Sequence, residues 1–288
     1  MDKVWSVGST SCYTDASLKG HCAFEDEPCC AATLDDLDAQ VLERYLDALG
    51  SGRDAKSTLE EQGFFAQGQL TKGAVILFAR NPSLFIPCDR IHVSKFATLS
   101  HTDEPLCIRD LILDGPLPTL LEETEKTIFK LSGHVTFLDT DGVFKRVSAY
   151  PRQMWIDGLM GALMHRSYRS PSYIHVTVFN NRLQIVSPGT LAPCGNSNRG
   201  VRTSLVEDRN PRISAALHVM GYSQEIVEQQ TTTFERVTSL EHAVFDELNI
   251  LDGQSVRLTI KSNVDAWDQL LEKSTVDGRM LLSPIYAI

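Results

Sequence analysis

The chain has 288 residues, 42% hydrophobic and 22% charged, which excludes disordered, collagen-like and coiled-coil classes and leaves room for one large or two ordinary domains. Its net charge of −10 argues against a general nucleic-acid coat protein. The longest apolar run, Ala74 to Ala79, is far shorter than the ~20 residues of a membrane helix, and the opening residues hold no secretory core, so a soluble, cytoplasmic protein with no membrane partner is expected. Seven cysteines, mostly spread singly, suit reduced thiols better than a disulfide framework.

In chain order, the opening through about Pro28 reads as a short strand, Val4 to Val7, and polar turns that look incomplete as a fold. Thr33 then caps a helix with Asp36 at its third position and Leu37, Val41, Tyr45 and Leu49 as its apolar stripe, stopped by Gly50-Ser51-Gly52. A second helix around Ser57 to Gln62 ends at Gly63, and a third opens at Leu70-Thr71 and runs to Arg80, before Asn81-Pro82. From Arg90 the pattern has the strand period, in IHVSKF and LCIRDLIL. A helix from Pro118 to about Leu131 follows, then HVTFLD turned by Asp141-Gly142 into VFKRVSAY. Pro151 begins the helix PRQMWIDGLMGALMHRSY, and a hairpin, YIHVTVF and RLQIVSP, turns across Asn180-Asn181. A Gly/Asn/Ser/Arg loop from Pro193 to Thr203, a helix from Asn210 to Met220, a polar helix around Gln224 to Glu241 and a last strand, SVRLTIKS, complete the chain. The fold class is α+β. Its expected parts are an N-terminal arm (1–32), a small helical module (33–89), an α/β connecting lobe (90–150) and a C-terminal module (151–288), with a seam near Arg90 to Arg109.

Charge is unevenly spread. From His21 to Glu61 eleven acids face three bases, a balance of −8, whereas from Lys145 to Arg212 ten bases face three acids, a balance of +7. Nine of those ten bases are arginine, whose fork suits phosphate or carboxylate, so the window is a candidate anion or nucleic-acid surface. The competing reading scatters these arginines over a solvated face or pairs them with the acidic N-terminal third.

Within the helix that begins at Pro151, Met154, Ile156, Leu159, Met160, Leu163 and Met164 can bury most of the surface. Asp157, Gly161 and His165 stand four residues apart and share one stripe. A carboxylate with a glycine one turn above it leaves a hollow that could admit a ligand. Alternatively, a nearby arginine pairs with Asp157 and Gly161 permits close helix packing.

YPRQMWIDGLMGALMHRSY, followed by FNNRLQIVSPGTL and RNPRISAALHVMG, resembles the C-terminal ATPase-like module of the RecG-related, divergent-AAA (Schlafen-like) transcriptional regulators. LTKGAVILFARNP, IHVSKF, ILDGPLPTLLEET, and the opening VGSTSCYTDAS with ATLDDLD resemble the same family in the same order, over nearly the whole chain. The resemblance implies a lobe like the gyrase, heat-shock chaperone, histidine kinase and MutL (GHKL) ATPases, and makes the arm the remnant of a preceding Alb-like domain. In those ATPases one helix carries a Glu that polarises water and, four residues later, an Asn that holds magnesium. Two glycine boxes contact adenine and phosphate. Here Asp157 stands at the base position one methylene short, and Gly161 stands at the metal-ligand position with no oxygen to offer. His165-Arg166 and Tyr168 keep the family's H-R-x-Y ending, and Ser187-Pro188-Gly189-Thr190-Leu191 keeps the first box. The second reads Thr231-Thr232-Thr233-Phe234 instead of G-S-G-I.

With magnesium's ligand and the phosphate loop gone, most transition-state stabilisation is lost and no catalytic residue or metal site is expected. No cofactor is firmly implied. Asp157, Gly161, His165, Arg166, Ser187, Gly189, Arg199 and Arg202 are the positions at which ATP could be held without being cleaved. The leading expectation is a non-hydrolysing regulatory or interaction subunit of a larger, nucleic-acid-linked assembly, with a protein partner or a second copy, and nucleic acid reached through a partner. A slow ATPase and a nucleic-acid-binding regulator using the Lys145 to Arg212 window are the alternatives. His21, Cys22, Cys29 and Cys30 fit no zinc ribbon, and Cys88, Cys107 and Cys194 read as buried small hydrophobes.

Overall fold

The computed structural model describes residues 23–98, 105–138, 144–150, 152–190, 209–222, 243–250, 253–261, 275–276 and 279–280. The expected strand Val4 to Val7, the turn at Asp141-Gly142, the loop from Pro193 to Thr203 and the helix around Gln224 to Glu241 lie outside them. Among the described residues no helix is long and apolar enough to cross a membrane.

Side-chain caps set the helical part. Thr33 and Asp36 form the expected capping box, but around a short 3-10 turn, Leu34–Asp36. Leu37 then bridges to Ala79, which draws its backbone out of helical geometry. Asp38 starts α1 (Ala39–Leu49) afresh by accepting from the amides of Gln40 (2.9 Å) and Val41 (3.0 Å). Gly50, at φ 64°, ends it. Asp54 caps α2 (Ala55–Glu61). A hairpin that the sequence reading passed over, β1 (Phe65–Ala66) and β2 (Gln69–Leu70), turns on Gln67 and Gly68 at φ 54° and 75°, the doubly left-handed pattern of a type I′ turn. Thr71 caps α3 (Lys72–Phe78), whose Gly73 to Phe78 are all buried. Tyr45, Phe64 and Phe78 pack ring to ring at 5.1–6.0 Å.

The rest is built on one sheet. Its elements are β3 (Ile91–Thr98) and β4 (Pro105–Leu113), α4 (Leu117–Leu131), and the separate hairpin β5 (His134–Leu138) and β6 (Phe144–Ser148). Then come α5 (Ile156–His165), β7 (Ile174–Val178), β8 (Arg182–Pro188), α6 (Pro211–Val219), β9 (Ala243–Ile250) and β10 (Gly253–Lys261). The six-stranded order is β4-β3-β7-β8-β10-β9, with β3 and β7 parallel and the other neighbours antiparallel. Two readings change. The sheet runs straight through the boundary drawn at 150, because Ile91 to Lys95 pair with Ile174 to Val178. The helix placed at Pro151 begins as a 3-10 turn, Arg152–Met154, with Trp155 before the α-helix proper.

The segment Phe24 to Glu27 fastens the helical module to this lobe. Glu25 is fully buried, and its carboxylate accepts from the amides of Arg212 (2.8 Å) and Ile213 (3.0 Å), capping α6. Burial outweighs those bonds and pushes its pKa up to about 7. Asp26 pairs with Arg212, and Glu27 with both Lys72 (2.6 Å) and Arg169. Phe24 stacks on Tyr168 with its ring flanked by Lys72 and Arg169.

Candidate functional site

α5 lies on the sheet through Gly158. A Cβ there would collide with Leu258 and meet Ile185, so Gly158 is the close-packing glycine, in the role one sequence reading gave to Gly161. Leu159 and Leu163 are buried beside it. Asp157, Gly161 and His165 are half-buried and form the expected stripe on the part of the helix not pressed to the sheet. Arg152 sits at its start, its pKa raised by its bonds to Glu125 and further by the charge of Asp157. Ser187, expected among nucleotide contacts, donates from Oγ to the carbonyl of Ala162 (2.9 Å) and ties β8 to α5. Beyond it Gly189 turns at φ 127°, its amide donating to Gln254 O (2.8 Å).

The last carbonyls of α5 would be orphaned in a buried helix end. Asn210 donates to those of Met164 (2.8 Å) and Arg166 (3.0 Å), and Arg209 to that of His165 (3.2 Å). Arg209 also reaches Thr190 O (3.2 Å) and Oγ1 (3.1 Å), and its guanidinium crosses Gly189 where a Cβ would stand. Burial alone lowers its pKa, and it meets no acid among the described residues. Among the described residues Arg209 therefore brings to the glycine box a positive charge that no acid pairs. Sequence reasoning counted it in the basic window but did not single it out; its place directly before Asn210-Pro211, at the start of a helix, was the available signal.

Arg166 is a correction. It is 1% exposed, donates to the carbonyls of Cys88 (3.0 Å) and Ser172 (2.9 Å), and lies over the Tyr168 ring, whose hydroxyl donates to Leu163 O. Its guanidinium is thus spent inside the protein and out of reach of a ligand on the α5 stripe. Beneath it is Asp89, fully buried and with no hydrogen-bond donor on either oxygen among the described residues, its pKa raised to about 7 by desolvation against the pull of Arg166. Arg199, Arg202, Cys194 and Thr231 to Phe234 lie outside the described residues. Six of the ten bases in the window have internal engagements: Arg152, Arg169 and Arg212 with acids, Arg166 and Arg209 with carbonyls, and Arg182 over Phe179. Pairing with the acidic N-terminal third holds for Arg169 and Arg212. Cys107 is exposed, contrary to expectation, while Cys88 is buried. Among the described residues no group of three or more His, Cys, Asp and Glu could hold a metal ion, and Gly161 offers the stripe no side-chain oxygen.

β7, β8 and most of β10, with the glycine turn after β8 and the helix α6, lie in the stretch that a family model matches. Residues 172–260 match the family described as "Putative ATP-dependent DNA helicase recG C-terminal", and that stretch fits a RecG-related, histidine-kinase-like ATPase module. It is similar in fold to the DIP2311 protein from Corynebacterium diphtheriae, with a TM-score of 0.58 at 18% identity; the match covers 84% of this chain and 48% of that one. The chain thus spans about half the length of that protein. No curated protein matches it.

Proposed function

We propose that this chain is a regulatory module that takes an adenine nucleotide on the α5 stripe without hydrolysing it and acts as a subunit of a larger, nucleic-acid-linked assembly. The observation that carries the reading is the pairing of a half-buried stripe, Asp157-Gly161-His165, whose carboxylate has no second side-chain oxygen beside it at 161, with Arg209, a cation that meets no acid among the described residues, across the glycine box. A fixed cation favours an anion, and it costs little to reorganise. Hydrolysis asks for more. Without an oxygen at 161 the charge on a transferring phosphoryl group lacks its metal, and Asp157 stops a methylene short of the water.

Isothermal titration with ATP, with and without magnesium, beside a phosphate-release assay, tests the reading. Binding that is indifferent to magnesium, weakened by Arg209→Gln and accompanied by no turnover is expected. Magnesium-dependent turnover abolished by Asp157→Asn would overturn it in favour of a slow ATPase.

A further inference from the structure

β4 is an edge strand, and among the described residues no strand pairs with its outer side. Of the large apolar side chains exposed among the described residues, four stand on this one strand: Leu106 (56%), Ile108 (41%), Leu111 (40%) and Ile112 (56%). The strand carries no lysine, and its proline is at its first position, so the usual protections of an edge are thin. A row of unpaired backbone groups flanked by apolar side chains on both faces fits another extended strand.

The bulge in β4 indicates which strand. Lys95 pairs with Arg109 and Phe96 with Cys107, which leaves Ile108 as the extra residue. Leu106, Arg109, Leu111 and Leu113 therefore lie on the face shared with buried Ile91 and Val93, and Cys107, Asp110 and Ile112 on the face shared with His92, Ser94 and Phe96. A two-fold axis perpendicular to a sheet reverses strand direction and keeps each face on its own side. Opposed residues of two copies must then share a face. In an unbulged strand the central registers would set Arg109 against Arg109 or Asp110 against Asp110, and like charges directly opposite are destabilising. The bulge shifts the parity by one. Pro105 to Cys107 of one copy then lie opposite Asp110 to Ile112 of the other, with Leu106 against Leu111 and Cys107 against Asp110. Ile108 and Arg109 flank the axis, and no like charges face each other. Symmetry makes every such pair twice.

We propose that two copies of this chain join β4 to β4 in that register, turning two six-stranded sheets into one continuous sheet. This assembly is independent of what binds on the α5 stripe.

Sedimentation of the full chain over a wide concentration range tests it. The wild type is expected to be a dimer, and Leu111→Lys, at an exposed position, is expected to raise the dimer dissociation constant on the order of tenfold or more because the symmetry applies it twice, with an unchanged circular dichroism spectrum. In a Cys107→Ser background, Leu106→Cys with Leu111→Cys should form an intermolecular disulfide under mild oxidation, whereas Leu106→Cys alone should not. A wild type that stays monomeric, a dimer indifferent to Leu111→Lys, cross-linking by Leu106→Cys alone, or an edge that pairs only with another protein's strand would each overturn the proposal.

Discussion

The two ends of one stripe of α5 have fared differently. At its C-terminal end every member of the H-R-x-Y ending is tied in: Asn210 and Arg209 hold the last carbonyls, Arg166 holds Cys88 and Ser172, and Tyr168 reaches Leu163. One and two turns earlier, at Gly161 and Asp157, the helix carries a residue with no side-chain oxygen and a half-buried acid. On the proposed reading, residues that hold the helix in place are kept, and residues that would act on a phosphoryl group are not. Packing and chemistry are separable even within ten residues of one helix.

The largest break in that comparison should come at Arg166. Arg166→Ala strips buried carbonyls of their donor and leaves Asp89 without its counter-charge, and should cost about 3–5 kcal/mol in denaturant unfolding. Arg166→Lys, lacking the fork, should recover little of it.

Next come the buried acids. Asp89 and Glu25 both titrate near 7 in the folded chain and lower when unfolded. Between about pH 4 and pH 7 the folded chain therefore holds protons that the unfolded chain has lost, and stability falls as pH rises through that window. Asp89→Asn should flatten this slope and gain on the order of 3 kcal/mol over the wild type at pH 8, with little difference near pH 4; unfolding midpoints across pH check it.

The two glycines of α5 should part company by less. Gly158→Ala drives a methyl into Leu258 and should cost about 1–3 kcal/mol, while Gly161→Ala, on the half-buried stripe, should be neutral or gain up to about 1 kcal/mol from helix propensity. Paired thermal melts distinguish them. Last, Asp157→Asn, which removes a half-buried charge that favours the Arg152 guanidinium, should cost about 1 kcal/mol or less and leave phosphate release at background.

Much of the fold could be read in the chain because its signals are local. Thr71 caps the third helix, IHVSKF alternates, and Asn180-Asn181 separates two strands in register. What escaped depends on distant partners. The helix from Thr33 breaks because Leu37 meets Ala79, and the boundary at 150 dissolves because Ile91 to Lys95 find Ile174 to Val178. β1 and β2, at two residues each, are too short for any period to register. The candidate site shows the same division. Spacing placed Asp157, Gly161 and His165 on one stripe, but spacing does not say which flank of a helix meets the sheet, so Gly158 went unnoticed. Nor does a count of arginines say which one turns inward: Arg166 does, and Arg209 crosses the glycine turn instead.

Glu25 lies 187 positions before the amide of Arg212 that it caps, so a segment distant in sequence finishes a helix of the α/β lobe. The lobe is therefore not a portable cassette. Excised without that short acidic stretch, α6 would begin on bare amides facing a hole, and anyone transplanting the lobe would have to carry Phe24 to Glu27 with it.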